Sequence, residues 1–506
     1  MSKFRFVTRV RVLVAVCIVV ALVIVGRLYM LQVMQGDVYL AVAEAQSTVQ
    51  TSPLLLRDSI YFSDKNGNLV IAATVTKTAS SFESRRYYPG GSLAAQEIGF
   101  VAFNADHDQK GRYGLERYYE QWLAREDNTS YSNFFVELFG TAKQVLGVKP
   151  KTGDLITTLE PVVQSELERT LAEYGSEWNP RLAGGIIMDP RTGEIAAMAV
   201  HPTFDLNAFN EEDDPLIFAN ALVENVYEMG SIMKPLTMAA GLDSGAVTPQ
   251  TTYNDTGEIV LDQKTIRNFD GIARGITPMQ EILNQSLNLG ASFIAQRMGP
   301  DTMREYFLDK FRLGSETGID LPGELHGLVE NLQSPRQVEY STAAFGQGIA
   351  ITPIQTVRAL ATLANGGVLV TPHLVRDIRY DAGYTQTLSW GIGETVLSPK
   401  TTREVSRMLT EVVDTALLRG EIKMDRYSIA AKTGTAQIAN PGGGGYYEDR
   451  FLHSFFGYFP SYDARFIVFL FAVEPTGAPF ASQTLARPFH ALTQFLISYY
   501  DIPPDR

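Results

Sequence analysis

The hydrophobic pattern changes character twice along this chain. Near the start, Val12 to Gly26 is uncharged, Arg27 interrupts, and Leu28 to Val33 is again mostly apolar. The strictly apolar run falls short of the roughly 20 residues of a spanning helix. With Arg11 and Arg27 snorkelling at its ends, and Leu28 to Leu31 added, the length suffices. Residues 1–34 are therefore expected to be a cytoplasmic tail and a transmembrane anchor. Lys3, Arg5, Arg9 and Arg11 precede the run, while Asp37 and Glu44 follow it. That asymmetry puts the N-terminus inside and the bulk of the chain outside a single membrane crossing. The triplet Ala41–Val42–Ala43 would suit a signal-peptide cleavage site, but it lies too far behind the apolar run.

From Gln35 to about Lys149, short apolar runs alternate with turn signals such as Asp64–Lys65–Asn66–Gly67 and Pro89–Gly90–Gly91. Residues 35–150 are expected to form a small, loop-rich, partly β module. Within it, Tyr113 to Ala124 predicts a helix ending in the charged turn Arg125–Glu126–Asp127. Beyond Lys149–Pro150 the pattern becomes that of one large unit, residues 151–506. Leu155 to Leu159 predicts a strand, and Val163, Leu167 and Leu171 keep helical spacing within Val162 to Tyr174. Gly184 to Met188 and Glu194 to Val200 predict two strands of a hairpin, joined by Asp189–Pro190–Arg191–Thr192–Gly193. Met229 to Leu363 is expected to be mostly helical. Tyr427 to Gln437, Ser454 to Phe459 and Arg465 to Val473 predict strands, with a flexible loop at Gly442 to Gly445. A last helix is expected from Pro488 to Tyr499. Strands at both ends with helices between predict an α/β (α+β) unit, an antiparallel sheet covered by helices.

Composition narrows the function. A net charge of −13, with no basic tract beyond the first residues, argues against nucleic acid as the main partner. The single cysteine, Cys17, lies in the apolar run, so no internal disulfide and no cysteine-based zinc site can form.

Three clusters carry candidate chemistry. Gly230–Ser231–Ile232–Met233–Lys234 suits a helix start, and one turn puts Ser231 and Lys234 on the same face. A serine hydroxyl needs a nearby base to become a nucleophile. A lysine among apolar residues has a lowered pKa and can be that base. Alone, the same letters describe a helix cap followed by an exposed lysine. Ser286–Leu287–Asn288 lies after the helical stretch Met279 to Leu283. On a loop, its hydroxyl can relay a proton and its carboxamide can hold a substrate carbonyl; alone it is also an ordinary polar loop. Lys432–Thr433–Gly434–Thr435 sits in a strand pattern among small residues, where a peptide can lie along the edge. Lys432 and Thr435 can there bind a terminal carboxylate. Lys151–Thr152–Gly153 repeats three of these letters, but its setting, with Lys149–Pro150 before and Asp154 after, is that of a polar turn.

In this order, Ser-x-x-Lys, Ser-x-Asn and Lys-Thr-Gly resemble the active site of the penicillin-binding protein and serine β-lactamase superfamily. Tyr227 to Pro235, Thr317 to Glu324, Phe345 to Pro353, Ala364–Asn365–Gly366–Gly367 and Arg27–Leu28 through Gly36–Asp37 are similar to segments of its class B members. The resemblance implies a penicillin-binding transpeptidase fold on an N-terminal anchor and a small β-rich pedestal. It implies peptidoglycan D,D-transpeptidation, with Ser231 attacking the penultimate D-Ala carbonyl of a stem peptide and an amine of a neighbouring stem as acceptor. Lys234 would be the base, and Ser286 would pass protons with Lys432. Asn288 would hold the donor, with Thr433, Gly434 and Thr435 along the peptide. The backbone N–H groups of Ser231 and Thr435 would form the oxyanion hole. β-Lactams would be ligands, and no metal or other cofactor is implied. The six histidines, His201, His453 and His490 among them, show no partner pattern and read as structural.

Ser286–Leu287–Asn288–Leu289–Gly290 resembles the division (FtsI-like) type more than the elongation type. The implied partners are division proteins and a membrane glycosyltransferase of the FtsW/RodA kind, since no glycosyltransferase segment separates anchor and pedestal and no C-terminal repeats follow. One departure stands out. The family's Arg-Gly-x-Ile-x-Asp-Arg-Asn-Gly appears here as the longer Arg57–Asp58–Ser59–Ile60–Tyr61–Phe62–Ser63–Asp64–Lys65–Asn66–Gly67, and the pedestal is short. Both bear on partner contacts. A β-lactamase, which would need a water-activating group, and a non-catalytic β-lactam sensor or division scaffold are the rival readings.

Overall fold

The structure is a computed structural model. It describes residues 18–20, 22, 57–77, 84–103, 109–124, 152–380, 383–440, 442 and 444–506. The chain divides into Met1–Leu55 and Leu56–Arg506. In the first unit residues 18–20 and 22 are helical; the rest of the expected anchor lies outside the described residues. Among the described residues no helix is long and apolar enough to cross a membrane.

The second unit is built around a five-stranded sheet in the order Ala430–Ala439, Tyr446–Phe459, Phe466–Val473, Leu182–Met188, Ile195–His201. Every neighbouring pair is antiparallel. Phe466–Val473 is buried at all eight positions, as a central strand covered on both faces must be. The helices Pro161–Trp178 and Ala486–Tyr499 pack together against one side, with Phe489 stacked on Phe455 at 4.5 Å between ring centres. Lys234–Asp243, Pro353–Ala364 and Pro399–Glu411 pack against one another on the sheet as well. The hairpin at residues 189–193 forms as its turn letters require: Asp189 Oδ1 accepts the Arg191 N–H at 2.9 Å, and Gly193 N–H closes onto Asp189 O.

A second, six-stranded sheet runs in the order Thr385–Thr387, Val375–Tyr380, Gly153–Thr157, Ile60–Ser63, Leu69–Lys77, Ser84–Tyr87. Its strands come from both sides of residue 150, and Ile60–Ser63 meets Gly153–Thr157 in parallel. The lone match to Lys-Thr-Gly near residue 152 ends in this sheet: Gly153 opens a strand opposite Tyr380, and Lys151 lies outside the described residues.

Two sequence expectations need correction. Residues 252–278 are not helical. Thr252–Asp255 pairs with Gly275–Pro278, and Glu258–Leu261 pairs with Lys264–Arg267. Asp262 and Gln263 both take positive φ (48° and 65°), the two-residue turn that closes a tight hairpin. Tyr113 to Ala124 is two short helices, Gly114–Tyr118 and Glu120–Leu123, broken at Tyr119. The Glu116 carbonyl, which a continuous helix would offer to Glu120 N–H, instead accepts from Arg57 at 2.9 Å, and the Tyr119 hydroxyl donates to the buried Asp320 at 2.9 Å.

Arg57, at the head of the unusual segment, is held in a buried ion-pair cluster. Glu116 is fully buried and accepts Nε–H bonds from Arg57 and Arg86, each at 2.7 Å. Burial alone would raise its pKa, but the two guanidiniums outweigh that and hold it below the usual range.

Glu97 is the opposite case. It is fully buried, accepts one bond from Asn220 Nδ2 (2.8 Å), and among the described residues its Oε2 has no partner. Burial, and then the charge of Glu168, push its pKa well above 4.5. A carboxyl raised in the folded state supports stability fully below its unfolded pKa and withdraws that support as pH rises through the folded value. Glu97→Gln is therefore expected to raise the melting temperature relative to wild type, with a gap that widens from pH 5 to pH 8. Equal gaps at both pH values in a thermal melt would contradict this.

Candidate active site

The nucleophile candidate sits on a single 3₁₀ turn, Gly230–Met233, which runs into the helix Lys234–Asp243. Residues three apart eclipse in a 3₁₀ turn, so Ser231 and Lys234 share a face as their spacing suggests. The turn is tied down before and behind. Tyr227 and Ile351 exchange two main-chain bonds at 3.0 Å, and Gly230 N–H donates to Gly346 O at 3.0 Å. A Cβ on Gly346 would lie 2.2 Å from Gly230 O, so only glycine allows this approach.

Lys234 is fully buried, and its amine is turned toward the second cluster. Nζ donates to the main-chain carbonyl of Ser286 and to Asn288 Oδ1 (2.8 Å), and lies 3.2 Å from Ser286 Oγ. Lys432, also buried, reaches the same hydroxyl from the sheet side: Nζ to Ser286 Oγ is 3.0 Å. One serine oxygen thus lies between two amines. Burial, then the neighbouring Lys432, lowers the Lys234 pKa far below that of a free lysine, and burial brings Lys432 down to about 7. Among the described residues Ser231 Oγ has no hydrogen-bond partner.

Ser286 is on a loop as expected, with φ at +56°, a region that costs an L-residue free energy and recurs at functional sites. Asn288 is the first residue of the helix Asn288–Arg304 rather than a loop residue. Its Nδ2 donates to Arg267 O at 2.9 Å, leaving one N–H of the amide for another acceptor.

Lys432, Thr433, Gly434 and Thr435 lie on Ala430–Ala439, the end strand of the five-stranded sheet. Lys432 and Gly434 are buried while Thr433 and Thr435 are half-buried, the alternation of a strand with one covered face. A Cβ on Gly434 would meet Met229 O at 2.8 Å and Ser454 Oγ at 2.4 Å, so the strand and the nucleophile turn touch through main chain. Lys234, Ser286, Asn288, Lys432 and Gly434 meet where the nucleophile turn that bears Ser231, the 286–288 segment and this strand touch, while Thr433 and Thr435 are on the same strand with their side chains on its other face.

Three contributors escaped the sequence reading. Ser454 Oγ donates to Met229 O at 2.9 Å, bridging the neighbouring strand to the nucleophile turn. Glu228 Oε1 accepts from Gly348 N–H (3.1 Å) and the Tyr446 hydroxyl (3.2 Å), and burial raises its pKa. Ala481 N–H donates to Thr435 Oγ1 at 3.0 Å. Ser454 and Glu228 have visible letters but no diagnostic spacing, and a main-chain amide has no letter of its own.

The model of the penicillin binding protein transpeptidase domain matches residues 183–492. This chain belongs to the penicillin-binding protein transpeptidase family. It is 31% identical to stage V sporulation protein D of Bacillus subtilis over 80% of this chain and 62% of that protein, so it spans about three fifths of that relative's length. It is 28% identical to the peptidoglycan D,D-transpeptidase FtsI homolog of Mesostigma viride, over 86% of this chain and 76% of that one. Among solved structures, penicillin binding protein 3 of Mycobacterium tuberculosis, complexed with aztreonam, superposes with a TM-score of 0.76. The identity is 26%, covering 89% of this chain and 97% of that one. The class B, FtsI-like resemblance read from the motifs thus holds across the fold.

The glycine contact gives a direct test within this family. Gly346→Ala forces a side chain into Gly230 O at a positive φ of 80°. It is expected to lower unfolding free energy by more than about 2 kcal/mol and to slow covalent penicillin labelling. Denaturation midpoints and labelling rates that match wild type would show that the contact is not needed.

Proposed function

We propose that this chain is a serine D,D-transpeptidase that cross-links peptidoglycan stem peptides through an acyl-enzyme on Ser231. The observation that carries the reading is the Ser286 hydroxyl within hydrogen-bond reach of both Lys234 and Lys432, beside the turn that bears Ser231. A neutral Lys234 takes the Ser231 proton as Oγ attacks the penultimate D-Ala carbonyl. Ser286 hands a proton onward to the departing D-Ala amine, with Lys432 as its other partner. An acceptor amine then attacks the ester, and Ser231 regains its proton. Asn288 holds the donor amide with its remaining N–H, and the donor peptide lies along Thr433–Gly434–Thr435 as an added strand. The N–H groups of Ser231 and Thr435 receive the oxyanion. Lys432 and Thr435 take the terminal carboxylate.

The same reading assigns residues 1–34 to a cytoplasmic tail and membrane anchor, 35–150 to a pedestal, and 151–506 to the catalytic unit outside the membrane. Division proteins and a glycosyltransferase of the FtsW/RodA kind are its proposed partners, supported by the FtsI-like motif and the name of the Mesostigma relative.

Fluorescent penicillin tests the chemistry. Wild type should carry a lasting adduct, and Ser231→Ala none, by gel and by intact mass. Rapid release of hydrolysed penicillin would favour a β-lactamase instead. Fluorescence at the septum rather than the side wall would support the division role.

The two amines also set a pH profile. Lys432, at about 7 in the free enzyme, is cationic below that pH and neutral above it. Second-order acylation by a carboxylate-bearing β-lactam reports free-enzyme groups, so it should decline as pH rises through about 7. Lys432→Arg keeps its charge throughout and should lose that decline, whatever its absolute rate. An unchanged profile in the arginine variant would remove Lys432 from carboxylate recognition.

A further inference from the structure

Thr435 has a neighbour that its motif does not mention. Its Oγ1 accepts the Ala481 N–H at 3.0 Å. A hydroxyl has one proton to donate. With a lone pair committed to Ala481, that proton is directed away from residue 481 and is free for a ligand. A carboxylate can only accept, so a hydroxyl held as a donor suits it and suits a neutral ester less.

The segment that supplies this amide is itself held from beneath. His453 pairs in register with Thr435 on the next strand, so their side chains share a face of the sheet. The His453 ring is fully buried, and its Nδ1 lies 2.9 Å from Thr484 Oγ1. Thr484 closes the short helical turn Ala481–Thr484 that Ala481 opens. Residues 435, 453, 481 and 484 thus form one unit: strand, strand, and a turn seated across both.

We infer that the Ala481 main-chain amide, seated by the His453–Thr484 contact, is a positioning group that holds the Thr435 hydroxyl as a donor to the terminal carboxylate of the substrate. The inference rests on the proposed function, in which Thr435 meets that carboxylate. It adds a source of selectivity for substrates that end in a free carboxylate over those in which it is blocked. His453 then has a purpose beyond filling the core.

The backbone allows the amide to be deleted. Ala481 is the first residue of its turn, and Phe480 before it is extended (φ −129°, ψ 138°). Proline is tolerated at a first helical position and favours an extended residue before it. Ala481→Pro therefore removes the N–H while leaving the chain path allowed. Thr484→Val is the second variant, close in shape but without the hydroxyl that meets His453.

The probes are two acyl thioesters, one whose leaving group is thioglycolate and the same compound with that carboxylate methylated. Acylation of Ser231 breaks the C–S bond and releases the thiol in both cases. Full-length protein is assayed by thiol release and by intact mass. Wild type is expected to prefer the free carboxylate. In Ala481→Pro the ratio of the two second-order rates should fall about threefold or more, a part of one charge-assisted hydrogen bond. Thr484→Val should lower the same ratio by a smaller factor. If both rates fall together, or the ratio stays at the wild-type value, the inference is overturned. If Ala481→Pro does not fold, as judged by its melt, the ratio in Thr484→Val decides alone. Should wild type form no acyl-enzyme with either thioester, the proposed function fails first; a wild type that acylates with unaltered variant ratios sinks only this inference.

Discussion

Two lysine amines buried on either side of one serine hydroxyl impose the strictest condition on this fold. Taking an ammonium out of water costs several kcal/mol, and a second cation nearby adds repulsion. Lys234 and Lys432 both approach Ser286 Oγ, and among the described residues neither is within ion-pair distance of a carboxylate. The site therefore accommodates at most one charge easily. Burial brings the Lys432 pKa down to about 7 and, with Lys432 beside it, lowers that of Lys234 well below a free lysine's. The surroundings can keep the pair in place only if they do not yield. Main-chain contacts hold the turn at Ser231 in place beside them: Gly346 against Gly230, Gly434 against Met229, and Ser454 tied to Met229 O.

Much of this was legible in the letters, and the limits have physical causes. The five-stranded sheet and its long helices followed from periodicity, because Val163, Leu167 and Leu171, or the apolar run at Phe466–Val473, bury where their spacing says. The hairpins at 252–278 were missed because they are short, with outward-facing residues exposed on a small two-stranded ribbon. Their turn at Asp262–Gln263 uses positive φ without glycine, which removes the usual signal. The break at Tyr119 coincides with the Glu116 carbonyl accepting from Arg57, 59 positions away, and no local pattern encodes such a bond. The eight site candidates were found because their chemistry lies in side chains with ordered spacing. Their supports are carbonyls and amides of Ser286, Arg267, Gly346 and Ala481, which any residue would carry.

The two Lys-Thr-Gly triplets make the same point from the other direction. Gly434 has a strand edge, a nucleophile turn and Ser454 around it. Gly153 has Arg379 O at 2.8 Å from its Cβ position, and serves only close packing within the six-stranded sheet. A glycine in a strand reports a close approach; what approaches decides whether the site is chemical or structural.

Under the proposed roles Lys234 is a neutral amine, with two N–H bonds and one lone pair. Ser286 O and Asn288 Oδ1 are oxygens that can only accept, so they claim the two N–H bonds. The lone pair must then face a group that can donate. Two hydroxyls qualify, Ser286 Oγ at 3.2 Å and, once substrate draws it in, Ser231 on the same face of the turn. A cationic Lys432 donates to Ser286 Oγ, which frees the Ser286 proton to point at Lys234. Under the proposed roles, the resting site already holds a line from Lys432 through Ser286 to Lys234, and attack by Ser231 needs Lys234 to exchange one hydroxyl for the other. Ser286, at left-handed φ, presents both its carbonyl and its hydroxyl to that amine, so under the proposed roles a backbone conformation costly to an L-residue sits where the base is oriented.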